Sequence, residues 1–108
     1  MDKKIISTEK APQAIGPYSQ AIVANGFLFT SGMVPIDPAT NQLVEGDITV
    51  QAKQAISNLK NLIEEAGASM DKVIKTTVFI SDMEQFGAIN EVYAEYFEEP
   101  YPARSCVQ

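Results

Sequence analysis

The chain has 108 residues, of which 45% are hydrophobic and 20% charged, and this composition is typical of one folded globular domain. Its formal net charge of −6 would repel phosphates, which argues against nucleic acids or anionic membranes as partners. The sequence contains no histidine and a single cysteine, Cys106. It therefore excludes Ser-His-Asp and Cys-His catalysis, an intrachain disulfide, and a zinc site built from the usual nitrogen and sulfur ligands of one chain.

The sequence also carries no targeting or cofactor signal that we recognise. No apolar run approaches the roughly 20 residues that span a bilayer, and the first residues lack the apolar stretch of a signal peptide. The glycines are isolated, so no Gly-rich loop for a phosphate group is present. We therefore expect a cytoplasmic protein in a reducing compartment that uses no metal and no organic cofactor.

The first half of the chain predicts short strands followed by a helix. A strand is expected near residues 4–7, and two apolar runs at 19–24 and 27–34 flank Asn25-Gly26, the strongest short signal for a β-hairpin. Residues 37–41 are typical of another turn. Asp47 can cap a helix that runs to about Ala66, with Gly67 following its end. The polar face of this helix is expected to carry the side chains Gln51, Gln54, Asn58, Asn61 and Glu65.

The second half predicts a strand, a helix and a final strand. Residues 73–80 are rich in β-branched side chains and are typical of a strand. Ser81 and Glu84 have the spacing of a capping box, which predicts a second helix that ends near Phe97, before Pro100 and Pro102. Residues 103–108 are expected to begin a last strand.

This order of elements predicts a single domain over residues 1–108 with an α+β fold, in which two helices pack on one face of a sheet. The other face would be apolar as well, because both alternating positions of the segments 27–34 and 73–80 are mostly apolar. A small domain with such a face is expected to pack against other subunits. The alternative is a monomer whose loops cover the face.

Two residues near the end of the sequence could carry chemistry. Arg104 lies at the start of the last predicted strand, where its planar guanidinium could bind a carboxylate, although such an arginine is more often a surface residue or part of an ion pair. Cys106 lies on the same face of that strand. It could be a reactive thiol, but a lone cysteine in an apolar strand is more often a small buried hydrophobic side chain, and no histidine can activate it.

Asn90, Tyr18, Ser31 and Gly32 complete the candidate set. Asn90 falls inside the apolar stripe of the second helix, so its amide must bond either to a loop backbone or to a ligand. Tyr18 follows a rigid turn at Pro17, and Ser31-Gly32 lies late in the second hairpin strand, where glycine permits another group to approach closely. Considered alone, Tyr18, Ser31 and Gly32 are more often structural than functional.

Five segments spread over nearly the whole chain are specific when taken together. They are Ala14-Ile15-Gly16-Pro17-Tyr18-Ser19-Gln20, Thr30-Ser31-Gly32, Lys75-Thr76-Thr77-Val78-Phe79-Ile80, Asn90-Glu91-Val92-Tyr93 and Pro102-Ala103-Arg104-Ser105-Cys106-Val107. In the order and spacing of these segments the chain resembles the reactive intermediate deaminase (Rid, YjgF-like) family. Within that family it is most similar to the archetypal deaminase subgroup that keeps the arginine.

The resemblance implies a chorismate-mutase-like fold, with two helices on one face of a mixed β-sheet, and a homotrimer around a central β-barrel with ligand clefts between subunits. It implies hydrolysis of 2-iminobutanoate and 2-iminopropanoate, which arise from PLP-dependent dehydratases acting on threonine and serine, to 2-keto acids and ammonia. Arg104 would bind the substrate carboxylate. The backbone around Cys106 and residues Tyr18, Ser31, Gly32 and Asn90 would line the cleft, some of them from the neighbouring subunit.

The resemblance also implies a further strand beyond the position of Gln108, with a glutamate that positions the attacking water. The last strand is therefore expected to be incomplete in this sequence, which offers no equivalent residue for the water. The alternative function is a sensor or regulatory protein that binds small carboxylates on the same trimer without turnover. RNA cleavage, a third activity attached to the family, fits poorly with the acidic charge and the absence of histidine.

Overall fold

The computed structural model describes residues 2–108, and its elements follow the predicted order. The helices are α1 (Ile48–Glu65) and α2 (Phe86–Tyr96). The strands are β1 (Lys4–Ile6), β2 (Ala21–Ala24), β3 (Phe27–Thr30), β4 (Ile36–Asp37), β5 (Gln42–Leu43), β6 (Lys75–Phe79) and β7 (Ala103–Val107). The α+β class is confirmed, and the predicted turn at residues 37–41 joins a small additional hairpin of β4 and β5.

The strands of residues 2–108 form three separate sheets, where the resemblance implied one mixed sheet. Strands β1, β2 and β3 are antiparallel, β4 pairs with β5, and β6 runs parallel to β7. A single mixed sheet would need a strand that pairs with both the antiparallel and the parallel group, and these residues contain none. The expectation of one continuous sheet is therefore wrong for this part of the chain.

The parallel pair brings two sets of residues side by side. Thr76 of β6 is the register partner of Arg104 on β7, and Val78 is the partner of Cys106. Parallel strands need a crossover between them, and α2 supplies it. Short 3₁₀ turns, Met70–Lys72 and Met83–Gln85, lead into β6 and α2.

The hairpin between β2 and β3 turns at Asn25-Gly26, as predicted. Asn25 has a φ angle of 52° and Gly26 one of 80°, so both residues occupy the left-handed region that a two-residue hairpin turn requires. The resulting register pairs Ile22 with Phe29 and Val23 with Leu28. Alternation along each strand then separates a face toward α1 from a face away from it.

The face toward α1 forms the core. Ile6, Ala21 and Leu62 of α1 are buried together, and they pack against Val23, Leu28, Met33 and Ala66. The face away from α1, which we call the open sheet face, carries Ile5, Ile22, Phe27 and Phe29. Ile5 is 65% exposed and Phe29 62% exposed. The structure thus shows the apolar second face that the sequence predicted, and nothing else in residues 2–108 covers it.

Helix α1 begins and ends as predicted. The Asp47 carboxylate accepts a hydrogen bond from the Val50 amide at 3.1 Å and caps the first turn. At the other end Gly67 has a φ angle of 86°, and its amide bonds to the Glu64 carbonyl while the Ala68 amide bonds to that of Ile63. These two bonds define a Schellman motif, which needs glycine at the left-handed position. Neither helix of residues 2–108 has the length and hydropathy needed to cross a membrane.

The start of α2 differs from the prediction. The residue that caps this region is Asp82, whose carboxylate accepts from the Glu84 amide at 2.9 Å, and not Ser81. One 3₁₀ turn follows before α2 begins at Phe86. Both Ser81 and Asp82 are good capping residues, so the local pattern could not decide between them. The helix ends at Tyr96, and the next residue, Phe97, is extended, close to the predicted end.

Asn58 is the main error in the predicted polar face of α1. Its side chain is fully buried, and its amide nitrogen donates to the carbonyls of Val34 at 3.0 Å and Ile36 at 2.8 Å. Its oxygen accepts from Gln54 Nε2 at 2.9 Å. The chain leading into β4 covers this part of α1. Asn58, which the helical pattern marks as polar and exposed, is therefore buried and holds two backbone carbonyls of that segment by hydrogen bonds.

Replacing Asn58 with alanine should lower the free energy of unfolding by about 1.5–4.5 kcal/mol, because three partly buried hydrogen bonds worth about 0.5–1.5 kcal/mol each are lost. The matched control is Asn61→Ala on the same helix, whose amide makes one exposed bond to the Lys10 carbonyl and should cost about 0.5 kcal/mol or less. Urea unfolding of both variants at one protein concentration measures the difference. Equal losses would contradict this role of the buried Asn58 side chain.

Candidate functional site

Arg104 projects from β7 toward α2 and is held by three side chains of that helix. Its Nη1 donates a 2.7 Å hydrogen bond to Asn90 Oδ1. The guanidinium carbon lies 5.1 Å from the ring centroid of Phe86 and 4.8 Å from that of Tyr93, within the range of cation–π contacts. We call Phe86, Asn90 and Tyr93 the arginine cradle.

The cradle follows from helical spacing. Phe86, Asn90 and Tyr93 stand at positions i, i+4 and i+7 of α2, which places them along one face. Phe86 and Tyr93 are therefore about two turns, or roughly 10 Å, apart along the axis, and the guanidinium lies between them over Asn90. The polar residue predicted inside the apolar stripe has thus found its partner in Arg104, and not in a loop backbone as the structural alternative supposed.

Most N–H donors of the guanidinium are unbonded within residues 2–108, and its charge is not neutralised there. Of its five N–H donors, one bonds to a side chain of residues 2–108, and that partner is a neutral amide. Within the same residues no carboxylate lies at ion-pairing distance, and the Arg104 side chain is exposed. The simpler interpretation of Arg104 as half of a structural ion pair is therefore wrong for this part of the chain. The free donors can bind an anion from solution.

Cys106 shares the α2-facing side of β7 with Arg104. The two residues are two positions apart in the strand, and Cys106 pairs in register with Val78. Its thiol is free and half-buried. The structure thus places Cys106 beside the arginine, in a setting that also suits a small apolar side chain.

Tyr18, Ser31 and Gly32 form a second group, at the end of the antiparallel sheet opposite the Asn25-Gly26 turn. The Tyr18 amide donates to the Gly16 carbonyl at 2.8 Å across Pro17, and its side chain is 51% exposed. Ser31 Oγ donates to the Ser19 carbonyl at 2.7 Å. A methyl group built on Gly32 would meet nothing within 4 Å, so no close approach to that glycine exists within residues 2–108.

A buried glutamine, which the sequence did not single out, organises this second group. Gln20 Oε1 accepts from the Thr8 amide at 2.7 Å, and its Nε2 donates to the carbonyls of Thr8 at 3.1 Å and Pro12 at 2.7 Å. The Gln20 carbonyl accepts from the Ser31 amide at 2.9 Å. Gln20 therefore ties the loop before Tyr18 to the strand end at Ser31. No hydrogen bond links this group to Arg104 within residues 2–108.

The structure also shows site neighbours that were missed. Phe86 and Tyr93 were assigned to the apolar stripe of the second helix, and Thr76 to a strand, without a role near Arg104. The signal that could have found them is the i, i+4, i+7 spacing of two aromatic residues around a polar one, since such a face can hold a cation. It becomes specific only when a partner cation is known.

A concave region between the ends of α1 and α2 is no alternative site for an anion. It has a volume of about 510 Å³ and is lined by Lys60, Glu64, Met70, Asp71, Glu95, Tyr96 and Glu98. A hydrogen bond from the Ser69 hydroxyl holds the pKa of the Asp71 carboxyl below its usual value. Four carboxylates against one lysine would repel a small acid. Within residues 2–108 no three His, Cys, Asp or Glu side chains cluster closely enough to hold a metal ion.

Comparison with known proteins agrees with this fold and with the resemblance. Residues 8–108 match the family described as Endoribonuclease L-PSP. A RutC family protein of Pyrococcus abyssi is 53% identical over 108 residues, which are 100% of this chain and 85% of that protein. A 2-iminobutanoate/2-iminopropanoate deaminase of Mus musculus is 47% identical over 106 residues, or 98% of this chain and 78% of that protein.

A solved structure extends the comparison to three dimensions. TdcF of E. coli with bound serine superimposes with a TM-score of 0.91 at 45% sequence identity, over 97% of this chain and 85% of that one. Fold and sequence therefore agree over nearly the whole chain. From these matches, the chain belongs to the Endoribonuclease L-PSP family, the same Rid (YjgF-like) family whose segments the sequence carries.

Proposed function

We propose that the protein hydrolyses 2-iminobutanoate and 2-iminopropanoate to the corresponding 2-keto acids and ammonia. The observation that carries the proposal is the Arg104 guanidinium, which the arginine cradle holds but no carboxylate of residues 2–108 neutralises. Its free donors match the carboxylate of a 2-imino acid. The mouse relative is named for this activity, and TdcF binds serine, another small molecule with a carboxylate.

The proposed reaction needs little from the protein. Water adds to the C=N carbon, the nitrogen gains protons, and ammonia leaves as the C=O bond forms, so that R–C(=NH)–COO⁻ and water give R–C(=O)–COO⁻ and ammonia. Because the imine carbon is already electrophilic, no activated side-chain nucleophile is required. The contribution of Arg104 is to hold the carboxylate so that the reacting carbon occupies one place.

Asn90 can supply a second donor. A guanidinium only donates hydrogen bonds, so the atom of Asn90 that faces Arg104 must be its oxygen, and the amide nitrogen donates to no atom of residues 2–108. In the proposed mechanism this nitrogen donates to the substrate carboxylate or to the tetrahedral intermediate. Arg104 and Asn90 thus bind the anion as a pair.

We further propose that the functional unit is a homotrimer in which the two residue groups meet between subunits. Tyr18, Ser31, Gly32 and the backbone around Cys106 would line the same cleft as Arg104. The proposal is supported by two observations: no hydrogen bond joins the two groups within residues 2–108, and Phe27 and Phe29 are exposed on the open sheet face, in the strand that leads directly to Ser31.

The proposed substrates also suggest the setting. Imines of this kind arise from PLP-dependent dehydratases that act on serine and threonine, so we propose that the protein works with such enzymes in the cytoplasm. Each step of the proposed reaction uses only water, Arg104, Asn90 and backbone groups, and therefore calls for no cofactor.

Two competing functions predict different behaviour. A sensor of small carboxylates would use the same Arg104 site but show no turnover. RNA cleavage, which the description of the family suggests, is less compatible with a chain of net charge −6 that contains no histidine to move a proton. The assay below separates the first alternative from the proposal.

The primary test is a coupled assay with threonine dehydratase, in which the imine forms in solution and 2-ketobutanoate is followed. Added protein should shorten the lag before 2-ketobutanoate reaches its steady rate, because the imine no longer waits for spontaneous hydrolysis. A protein that binds 2-ketobutanoate but leaves the lag unchanged would be a sensor, and the deaminase proposal would be wrong.

Arg104→Ala should lower kcat/KM by roughly 30-fold to several thousand-fold, since in the proposed cleft between subunits the arginine and the substrate carboxylate form an enclosed charge pair, and removing one partner of such a pair costs about 2–5 kcal/mol. Arg104→Lys should recover only part of this, because an ammonium group cannot make the planar two-point contact. Lys75→Ala is the matched control: it removes a cation from β6 on the face away from α2. Near-normal turnover by the Arg104→Ala oligomer would contradict the role of the arginine.

Cys106→Ser and Cys106→Ala should keep most of the turnover, because the proposed cleft uses backbone groups at this position and the half-buried thiol has no histidine to activate it. Initial rates in the same coupled assay provide the measurement. Complete loss of activity in a folded oligomer would instead indicate a thiol mechanism.

Sedimentation equilibrium should give a mass of about three times 11.8 kDa. Replacing Phe29, on the open sheet face, with aspartate should shift this mass toward the monomer, since a charge cannot be buried there without a partner. Glu91→Asp, at an exposed position of α2, serves as the control substitution. A wild-type monomer at micromolar concentration would contradict the trimer and the shared cleft.

A further inference from the structure

Tyr93 is fixed from three sides. Its ring lies 4.8 Å from the Arg104 guanidinium carbon and stacks on Phe97 with ring centroids 4.3 Å apart. Its hydroxyl oxygen lies 2.7 Å from Thr76 Oγ1, in a hydrogen bond that either group can donate. Tyr93 is buried, and a buried hydroxyl requires such a partner.

These contacts form a closed ring of three residues, Arg104, Thr76 and Tyr93. Thr76 lies on β6 beside Arg104 on β7, because the two are register partners in the parallel ladder. The Arg104 backbone pairs with Thr76, and the Thr76 hydroxyl bonds to that of Tyr93. The Tyr93 ring then contacts the Arg104 guanidinium, which completes the ring of contacts. Thr76 therefore adjoins the backbone of Arg104, Tyr93 contacts its charged end, and the hydroxyl pair links the two residues.

We propose that Thr76 and Tyr93 are positioning residues that set the orientation of the Arg104 guanidinium before a ligand arrives. The identity of the ligand as a 2-imino or 2-keto acid rests on the proposed function, whereas the positioning of the arginine does not. Neither residue needs to touch the substrate. Their effect reaches it through the arginine.

Arg104 benefits from being oriented in advance because its side chain is long and flexible. An exposed arginine samples many rotamers, and ordering it when a ligand binds costs affinity. A small 2-imino acid offers few apolar atoms to compensate. Contacts with the Tyr93 and Phe86 rings restrict the guanidinium in advance without satisfying its N–H donors, which remain available for the carboxylate.

Thr76→Val and Tyr93→Phe each remove one hydroxyl of the pair while keeping the shape of the side chain. Each should raise the Kd of 2-ketobutanoate, measured by calorimetry, and the KM of the coupled assay by roughly 2- to 12-fold, with kcat changed less. The double variant should be no worse than the single ones, because all three lose the same hydrogen bond. Additive losses, or none, would overturn the hydroxyl pair as the cause.

The chain provides a matched control one turn further along α2. Ser57 Oγ and Tyr96 Oη form another hydroxyl pair, also 2.7 Å apart, between α1 and α2. Ser57→Ala and Tyr96→Phe should cost similar stability but leave the Kd of 2-ketobutanoate unchanged. If these variants weaken binding as much as Thr76→Val does, the effect is general loosening of the helix and the positioning proposal fails.

A measurement without substrate keeps the proposal separate from the proposed function. Arg104 is the sole arginine of the sequence, so its Nε–Hε group gives one unambiguous NMR signal. In the wild-type protein this signal should be ordered and shifted by the ring currents of Tyr93 and Phe86. Thr76→Val and Tyr93→Phe should lower its order parameter toward the flexible range, below about 0.6, while the control variants should not.

The outcomes are distinct. A wild-type protein that neither binds 2-ketobutanoate nor shortens the lag would refute the proposed function, and the NMR comparison would still decide the positioning. An Arg104 signal that is already mobile in the wild type, or unchanged in Thr76→Val and Tyr93→Phe, would overturn the positioning even if turnover is present.

Discussion

The parallel pairing of β6 with β7 is the constraint on which the site depends. Two parallel strands cannot be joined by a tight turn, so the chain must leave the sheet, and it does so through α2. The helix then lies against the face that carries Thr76 and Arg104. Every contact of the guanidinium described above comes from this one unit of strand, helix and strand, with no contribution from the antiparallel sheet.

The positive charge of Arg104 is not neutralised, because the side chains that contact it carry no negative charge. In a chain with a net charge of −6, an arginine could easily be neutralised by a nearby carboxylate. Here an amide oxygen and two aromatic rings hold it instead. These groups restrict the side chain without a full opposing charge. A carboxylate that bound as proposed would therefore not have to displace one, whereas a structural ion pair would already occupy the N–H donors.

Local chemistry determined what could be predicted. The hairpin at Asn25-Gly26 and both ends of α1 follow from residues adjacent in sequence, because left-handed turn positions and capping bonds involve neighbours a few residues apart. Asn58 could not be predicted, since the group that buries it arrives from about 22 residues away. The division into three sheets likewise depends on which distant strands meet. Helical or strand periodicity describes one element and carries no information about what covers it.

The candidate residues show the same division. The sequence pattern singled out six candidates, and the family resemblance assigned all of them to one cleft: Arg104, Asn90, Cys106, Tyr18, Ser31 and Gly32. The structure brings Arg104, Asn90 and Cys106 together and leaves the other three in a second group. The aromatic members of the cradle were assigned to the core because an aromatic residue in an apolar stripe normally packs there. Tyr93 does pack there, against Phe97, and contacts the arginine as well. One residue can serve both roles when it lies at the edge of the core.

The segment from Thr76 to Arg104 has a consequence for how the protein folds. The contacts that hold the arginine close within 29 residues of chain, and those that hold Tyr18 and Ser31 lie between Thr8 and Ser31. Each set therefore closes within its own stretch of the chain, and neither needs a contact from the other in order to form. The chain thus holds its candidate residues in two clusters that are separate in sequence. Substitutions in one cluster can then alter its side-chain contacts with little effect on those of the other.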